Sequence, residues 1–179
     1  MSRIEVICGS MFSGKSEELL RRLKRADIAK RKSQLFKPEC DNRYSTTEVA
    51  THSGKKRSCH VVESGREEEI FKHIFYDTEI VAFDEAQFFG DYIVSVANTL
   101  VRSGVRVIIA GLDMDSSGAP FGPMPKLMAL AEEVVKLTAV CEVCGESATH
   151  TYRKTKSKKQ ILVGEADIYE ARCRKHWQN

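Results

Sequence analysis

Neither sign of charge dominates this sequence. Its 28 basic and 25 acidic residues leave a net charge of +3, too little to demand a nucleic-acid or membrane partner and compatible with an anionic ligand. No apolar run approaches the length of a membrane-spanning helix, so none is expected. The N-terminal residues enter an apolar segment directly, without the basic stretch and apolar core of a leader, which points to a soluble, cytoplasmic protein. No internal repeat is visible. A disulfide framework is also missing: of six cysteines, at 8, 40, 59, 141, 144 and 173, only the last three sit at metal-ligand spacing, and Cys8, Cys40 and Cys59 read as reduced thiols. The 42% of hydrophobic residues suffice for one compact core with a small appendage, whereas two full domains would be cramped.

The most informative segment is Gly9-Ser10-Met11-Phe12-Ser13-Gly14-Lys15-Ser16, which follows the apolar run Ile4-Glu5-Val6-Ile7-Cys8 and precedes a helix-like stretch. It satisfies G-x-x-x-x-G-K-[ST] in the required strand-then-helix context, where an ordinary glycine turn is the competing explanation. The glycines let the backbone curl until successive N–H groups and the next helix N-terminus face phosphate oxygens. Lys15 is then placed to reach the β- and γ-phosphates of ATP, and Ser16 to ligate Mg²⁺.

Periodicity organises the rest of the chain. A helix is predicted over 14–32, with Leu19, Leu20, Leu23 and Ile28 on one face and a solvated Arg/Lys-rich face opposite. A short strand at 34–37 ends at Pro38, and 41–56 reads as a loop, mobile over much of its length. Further strands are expected at 58–62, 79–83, 105–110 and 134–137, with helices at 67–74, 92–102 and 126–133. This alternation predicts an α/β fold of the phosphate-loop NTPase type, a mainly parallel sheet with helices on both faces. Composition changes near residue 140. We therefore expect an ATP-binding unit over 1–140 and a small zinc-binding unit with a long loop over 141–179.

Asp84 ends the buried strand 79–83 and has the placement of the acid that holds Mg²⁺ in phosphate-loop proteins, a helix cap being the alternative. Glu85 beside it could accept a proton from an incoming nucleophile. Whether that nucleophile is water or a substrate hydroxyl is not written in this pair. Cys141-x-x-Cys144 and Cys173-x-x-His176 supply three thiolates and an imidazole in two knuckles, the donor set of a closed tetrahedral Zn²⁺ site. The 28 intervening residues make the metal a clamp on a long loop, structural rather than catalytic. That loop carries Ile161-Leu162-Val163-Gly164 and Tyr169, which could cover a small planar ligand or form an edge strand. The run 154–159 reads as a solvated hairpin tip.

The ordered set of residues 9–16, Phe83-Asp84-Glu85-Ala86-Gln87-Phe88-Phe89, Lys136-Leu137-Thr138-Ala139-Val140-Cys141 and Tyr169 with Cys173-x-x-His176 resembles thymidine kinases of the cellular, zinc-containing type. The resemblance runs from about residue 4 to 177. It implies transfer of the γ-phosphoryl of ATP to the 5′-hydroxyl of thymidine, with Mg²⁺ near Ser16 and Asp84 and Glu85 as catalytic base. It also implies that Gly9, Ser10, Met11, Phe12, Ser13, Gly14, Lys15, Ser16, Asp41, Arg43, Asp84 and Gln87 serve the nucleotide. Met11, Leu112, Ser116, Phe121, Thr151, Gln160, Ile161, Leu162, Val163, Gly164 and Tyr169 would surround the nucleoside.

Two positions depart from the family pattern. Ser10 stands where proline is usual, and Ser116 stands where an aromatic commonly stacks on the base, a contact worth about 1 kcal/mol that Phe121 could replace. Deoxyuridine as a weaker substrate, feedback inhibition by dTTP and a homotetramer are further implications of the resemblance, with no nucleic-acid partner. The competing readings are a nucleic-acid-stimulated ATPase with a zinc ribbon, and a zinc-ribbon module that only senses ATP.

Overall fold

The computed structural model describes residues 2–39, 48–50, 56–63, 65–155 and 167–178. From the N-terminus run β1 (Ile4–Gly9), α1 (Lys15–Ile28), β2 (Ser33–Pro38), β3 (Glu48–Ala50), β4 (Lys56–Ser58) and β5 (His60–Val62). A 3₁₀ turn at Glu67–Glu69 leads into α2 (Ile70–His73), followed by β6 (Ile80–Phe83), α3 (Tyr92–Arg102), β7 (Arg106–Gly111), α4 (Met124–Leu130) and β8 (Glu133–Leu137). Six strands form one sheet in the order β5-β2-β6-β7-β1-β8, and each neighbouring pair is parallel. After β1 the chain crosses to β2 and leaves room for β6 and β7 between them. The phosphate loop therefore leaves the carboxyl end of β1 where α/β sheets bind ligands.

Every residue of β1 and β6 is buried, as expected of parallel strands covered on both faces. Alternation along the strands divides the core. Ile7, Leu35, Ala82, Ile108 and Ala110 meet Leu19, Leu20 and Leu23 of α1. Val6, Phe36, Phe83, Val107 and Ile109 meet α3 through Ile93, Val96 and Leu100, and α4 through Met124 and Leu127. Each leucine so buried contributes about 1.5–3 kcal/mol.

Several sequence expectations need correction. Helix α1 stops at Ile28, not at residue 32, because Lys30 adopts φ 56° and Arg31 N–H bonds Ala26 O at 2.9 Å, a Schellman-type end built without glycine. Ile28 is 73% exposed and takes no part in the core. On the basic face of α1, Arg22 is buried: it donates to Glu5 Oε2 at 2.5 Å and Glu18 Oε1 at 2.9 Å. Within the expected loop at 41–56, β3 pairs with β4 as an antiparallel hairpin, while 40–47 and 51–55 lie outside the described residues. The expected helix at 126–133 starts earlier, at Met124, and ends at Leu130.

Beyond Val140 the chain builds two small antiparallel pairs. β9 (Ala139–Val140) pairs with β10 (Ser147–Ala148), and β11 (His150–Arg153) with β12 (Tyr169–Arg172), before the single-turn α5 (Arg174–Trp177). Their core of Ala139, Cys141, Ala148 and Ala171 also receives Phe12 from the phosphate loop. No helix among the described residues is long and apolar enough to cross a membrane.

Candidate active site

The phosphate loop is shaped by backbone conformations that side chains disfavour. Gly9 has φ 144°, and a Cβ there would lie 2.3 Å from Leu137 O, so only glycine lets the loop pass β8 this closely. Phe12 at φ 64° and Gly14 at φ 81° complete the curl. No side chain caps α1, which leaves its first-turn N–H groups directed toward an anion. Lys15 Nζ donates to Ser10 O at 2.7 Å, folded onto the loop it would leave to meet phosphate.

At the end of β6, Asp84 is 4% exposed and accepts Ser16 Oγ–H at 3.1 Å through Oδ2. That contact brings together the hydroxyl and carboxylate expected to hold Mg²⁺, and hard oxygen donors of this kind suit that ion. Asp84 Oδ1 also accepts the Glu85 N–H at 3.0 Å. Glu85 itself sits in the left-handed region, φ 51° and ψ 41°, a conformation costing a non-glycine residue on the order of 1–3 kcal/mol and concentrated at functional sites. Its Oε2 accepts Gln87 Nε2–H at 2.5 Å.

The metal-ligand residues also converge. Ligand atoms of Cys141, Cys144, Cys173 and His176 all lie within 4.8 Å of one another. Cys144 Sγ and Cys173 Sγ are 3.8 Å apart, and His176 Nδ1 lies 3.2 Å from Cys173 Sγ and 3.8 Å from Cys141 Sγ. Tetrahedral zinc with ordinary Zn–S and Zn–N bonds needs about 3.8 Å between sulfurs and about 3.5 Å from sulfur to nitrogen, so the four donors fit this ion. Burial opposes ionisation of the Cys141 thiol, but main-chain donors at Cys173, Val143 and Cys144 outweigh it and bring its pKa to about 6. A thiolate so favoured is a ready metal ligand.

Two contacts join this cluster to the phosphate loop: Met11 N–H donates to Thr151 Oγ1 at 3.1 Å, and Ser10 Oγ–H to Ala148 O at 3.4 Å. A third element, the hairpin over 113–121, carries a Met114–Pro120 bridge. Its turn is held by Asp115 Oδ1, which accepts the N–H groups of Ser117 at 2.9 Å and Ala119 at 3.1 Å. The whole of 2–177 matches the family model described as thymidine kinase.

The chain belongs to the thymidine kinase family.

Two curated relatives from Bacteroides fragilis strains YCH46 and ATCC 25285, each named thymidine kinase, are 49% identical over 176 residues, which cover 98% of this chain and 87% of theirs. Among solved structures, the genome packaging NTPase B204 from Sulfolobus turreted icosahedral virus 2, in complex with sulfate, has a TM-score of 0.52 at 16% identity, covering 80% of this chain and 77% of that one. This likeness shows the fold alone. Family membership makes the chain an ATP-dependent kinase.

In this thymidine kinase family member, the structure gathers Gly9, Ser10, Met11, Phe12, Ser13, Gly14, Lys15 and Ser16 with Asp84 and Glu85, and sets Thr151 against Met11. Leu112 meets Gln87 through its N–H at 2.9 Å. Phe121 is 6% exposed and packs in a T-shaped arrangement with Phe88, ring centroids 5.5 Å apart, so its ring is committed to the interior. Tyr169 is buried and accepts a hydrogen bond from Arg153 Nη2 at 3.2 Å. Asp41, Arg43, Gln160, Ile161, Leu162, Val163 and Gly164 lie outside the described residues.

Sequence reasoning missed Trp177. Its indole N–H donates to Ser116 O at 3.3 Å, its ring stacks on His150 with centroids 4.7 Å apart, and a Cβ on Gly118 would approach it to 2.6 Å. The tryptophan that follows His176 thus docks the 113–121 hairpin on the segment that carries the Cys/His cluster. Its position directly after a ligand knuckle was the only available signal.

Proposed function

We propose that the chain transfers the γ-phosphoryl group of ATP to the 5′-hydroxyl of thymidine, with deoxyuridine as a weaker substrate. The observation that carries this reading is the juxtaposition of Ser16 Oγ with the Asp84 carboxylate at 3.1 Å, with Glu85 next in the chain and held in a strained conformation. The N–H groups of the phosphate loop and Lys15 would cradle the triphosphate. Ser16 and Asp84 would hold Mg²⁺, which when bound neutralises charge on the β- and γ-phosphates.

Glu85 accepts the proton of the 5′-hydroxyl as the bond from that oxygen to the γ-phosphorus forms. The bond from phosphorus to the β-bridging oxygen breaks, and ADP leaves with that electron pair. Met11 and Thr151 form one wall for the thymine, with Leu112, Ser116 and Tyr169 around it and main-chain groups of Gln160, Ile161, Leu162, Val163 and Gly164 covering it. Phe121 serves from behind, as support for that wall. Asp41 and Arg43 flank the phosphate site. Cys141, Cys144, Cys173 and His176 would hold Zn²⁺, which when bound would fix the base of the covering loop without a catalytic duty. A division near residue 140, a cytoplasmic homotetramer and dTTP as feedback inhibitor complete the proposal.

Incubation with ATP, Mg²⁺ and, separately, thymidine, deoxyuridine, deoxycytidine or no nucleoside tests it. Thymidine monophosphate matched one-to-one by ADP is expected; equal ADP without nucleoside would move the acceptor to water. Glu85→Gln is expected to retain ATP affinity and lose about 10²–10⁴-fold in kcat, the usual worth of a positioned base.

A further inference from the structure

Gln87 is 3% exposed, and both ends of its amide are engaged within the protein. Its Oε1 accepts the Leu112 N–H at 2.9 Å, and its Nε2–H donates to Glu85 Oε2 at 2.5 Å. A main-chain N–H can only donate, so the Leu112 bond fixes which end of the amide is oxygen and turns the NH₂ group toward Glu85. Two glycines make room for this residue. A Cβ on Gly111 would lie 2.9 Å from Gln87 Oε1, and one on Gly122 would lie 2.4 Å from the Gln87 carbonyl oxygen.

We propose that Gln87 is a positioning residue for the base, tying the Glu85 carboxylate to the Leu112 N–H at the exit of β7 rather than contacting the nucleotide. This rests on the reading of Glu85 as base. The bond to Glu85 Oε2 restrains the carboxylate torsions. It also makes the position of the base depend on the segment that begins the 113–121 hairpin.

Two substitutions test this role. Gln87→Met keeps the length and removes both bonds; kcat is expected to fall about 10-fold or more, with the ATP KM within about two-fold of wild type. Gln87→Glu keeps an oxygen for Leu112 but loses the donor to Glu85, and kcat is expected to fall likewise with the ATP KM little changed. Thermal melting of both variants gives the structural effect, which alone moves Tm without confining the loss to kcat.

Glu85→Gln is measured alongside. If it retains full turnover, Glu85 is not the base and the positioning role falls with it. If it is inactive while Gln87→Met and Gln87→Glu keep wild-type kcat, or raise the ATP KM as much as they lower kcat, the role of Gln87 alone is overturned. A kcat-confined loss in both variants supports the proposal.

Discussion

Glu5 shows how one charged residue can be accommodated inside a parallel strand. It has no exposed surface, yet its carboxylate accepts bonds from Arg3 at 2.7 Å, Arg22 at 2.5 Å and Arg106 at 2.7 and 2.8 Å. Burial pushes its pKa up, but the hydrogen bonds from Arg106 and Arg3, with the charges behind them, outweigh burial and lower it from 4.5 to about 2. A pKa depressed on folding adds stability that is complete above the unfolded value and lost as pH falls through the folded one. The window here is therefore about pH 4.5 down to about 2, and the shift corresponds to roughly 3 kcal/mol. Glu5→Gln is expected to lose about that much stability in denaturant melts at neutral pH, with the gap to wild type narrowing through this window. A constant gap would show that the carboxylate charge is not what the arginines stabilise. In the sequence Glu5 is a lone acid within an apolar run; only the meeting of β1, α1 and β7 gives it partners.

The legibility of the elements followed the strength of their local signals. Strands β1 and β6 were readable because both their faces are covered, which leaves unbroken apolar runs, and α3 was readable to its last residue because Gly104 follows it. The end of α1 was not, since Lys30 adopts the conformation that glycine usually marks. The phosphate loop, the acidic pair and the metal knuckles are compact motifs whose spacing is itself the chemistry. The link from Gln87 to Leu112 joins residues 25 positions apart, and no local pattern encodes it.

The 113–121 hairpin is another element whose role depends on a distant contact. Gly118, at φ 80°, lies against the Trp177 ring. Gly118→Ala is expected to cost about 1–3 kcal/mol of strain and to push the hairpin off the indole. The thymidine KM should then rise, about five-fold for each kcal/mol lost from binding, while the ATP KM stays near wild type. Equal rises in both would place the disturbance in the phosphate loop instead.

At the scale of the whole molecule, two supports meet at the reaction centre. The sheet presents the phosphate loop, Asp84 and Glu85 from the carboxyl ends of β1 and β6. The Cys141, Cys144, Cys173 and His176 cluster holds β9, β12 and α5 together, and this assembly touches the loop through Phe12, Ser10 and Met11. On the proposed function, closing the long connection between the knuckles at its base would lower the entropy lost when that connection covers the nucleoside. Chelation, or Cys144→Ser, is expected to raise the thymidine KM before the ATP-binding sheet unfolds. Retention of both ATP affinity and thymidine KM after verified metal loss would refute the clamp.

Trp177 is the only tryptophan in the chain, it follows His176 of the Cys/His cluster, and it packs against His150 and Gly118. Light absorbed at the red edge, beyond tyrosine, is therefore emitted from one place. Release of the metal should free the indole to water and shift that emission to longer wavelength, whereas a change confined to the sheet should leave its colour alone. The molecule thus carries an unlabelled optical gauge at the junction of its Cys/His segment and the 113–121 hairpin, readable during turnover.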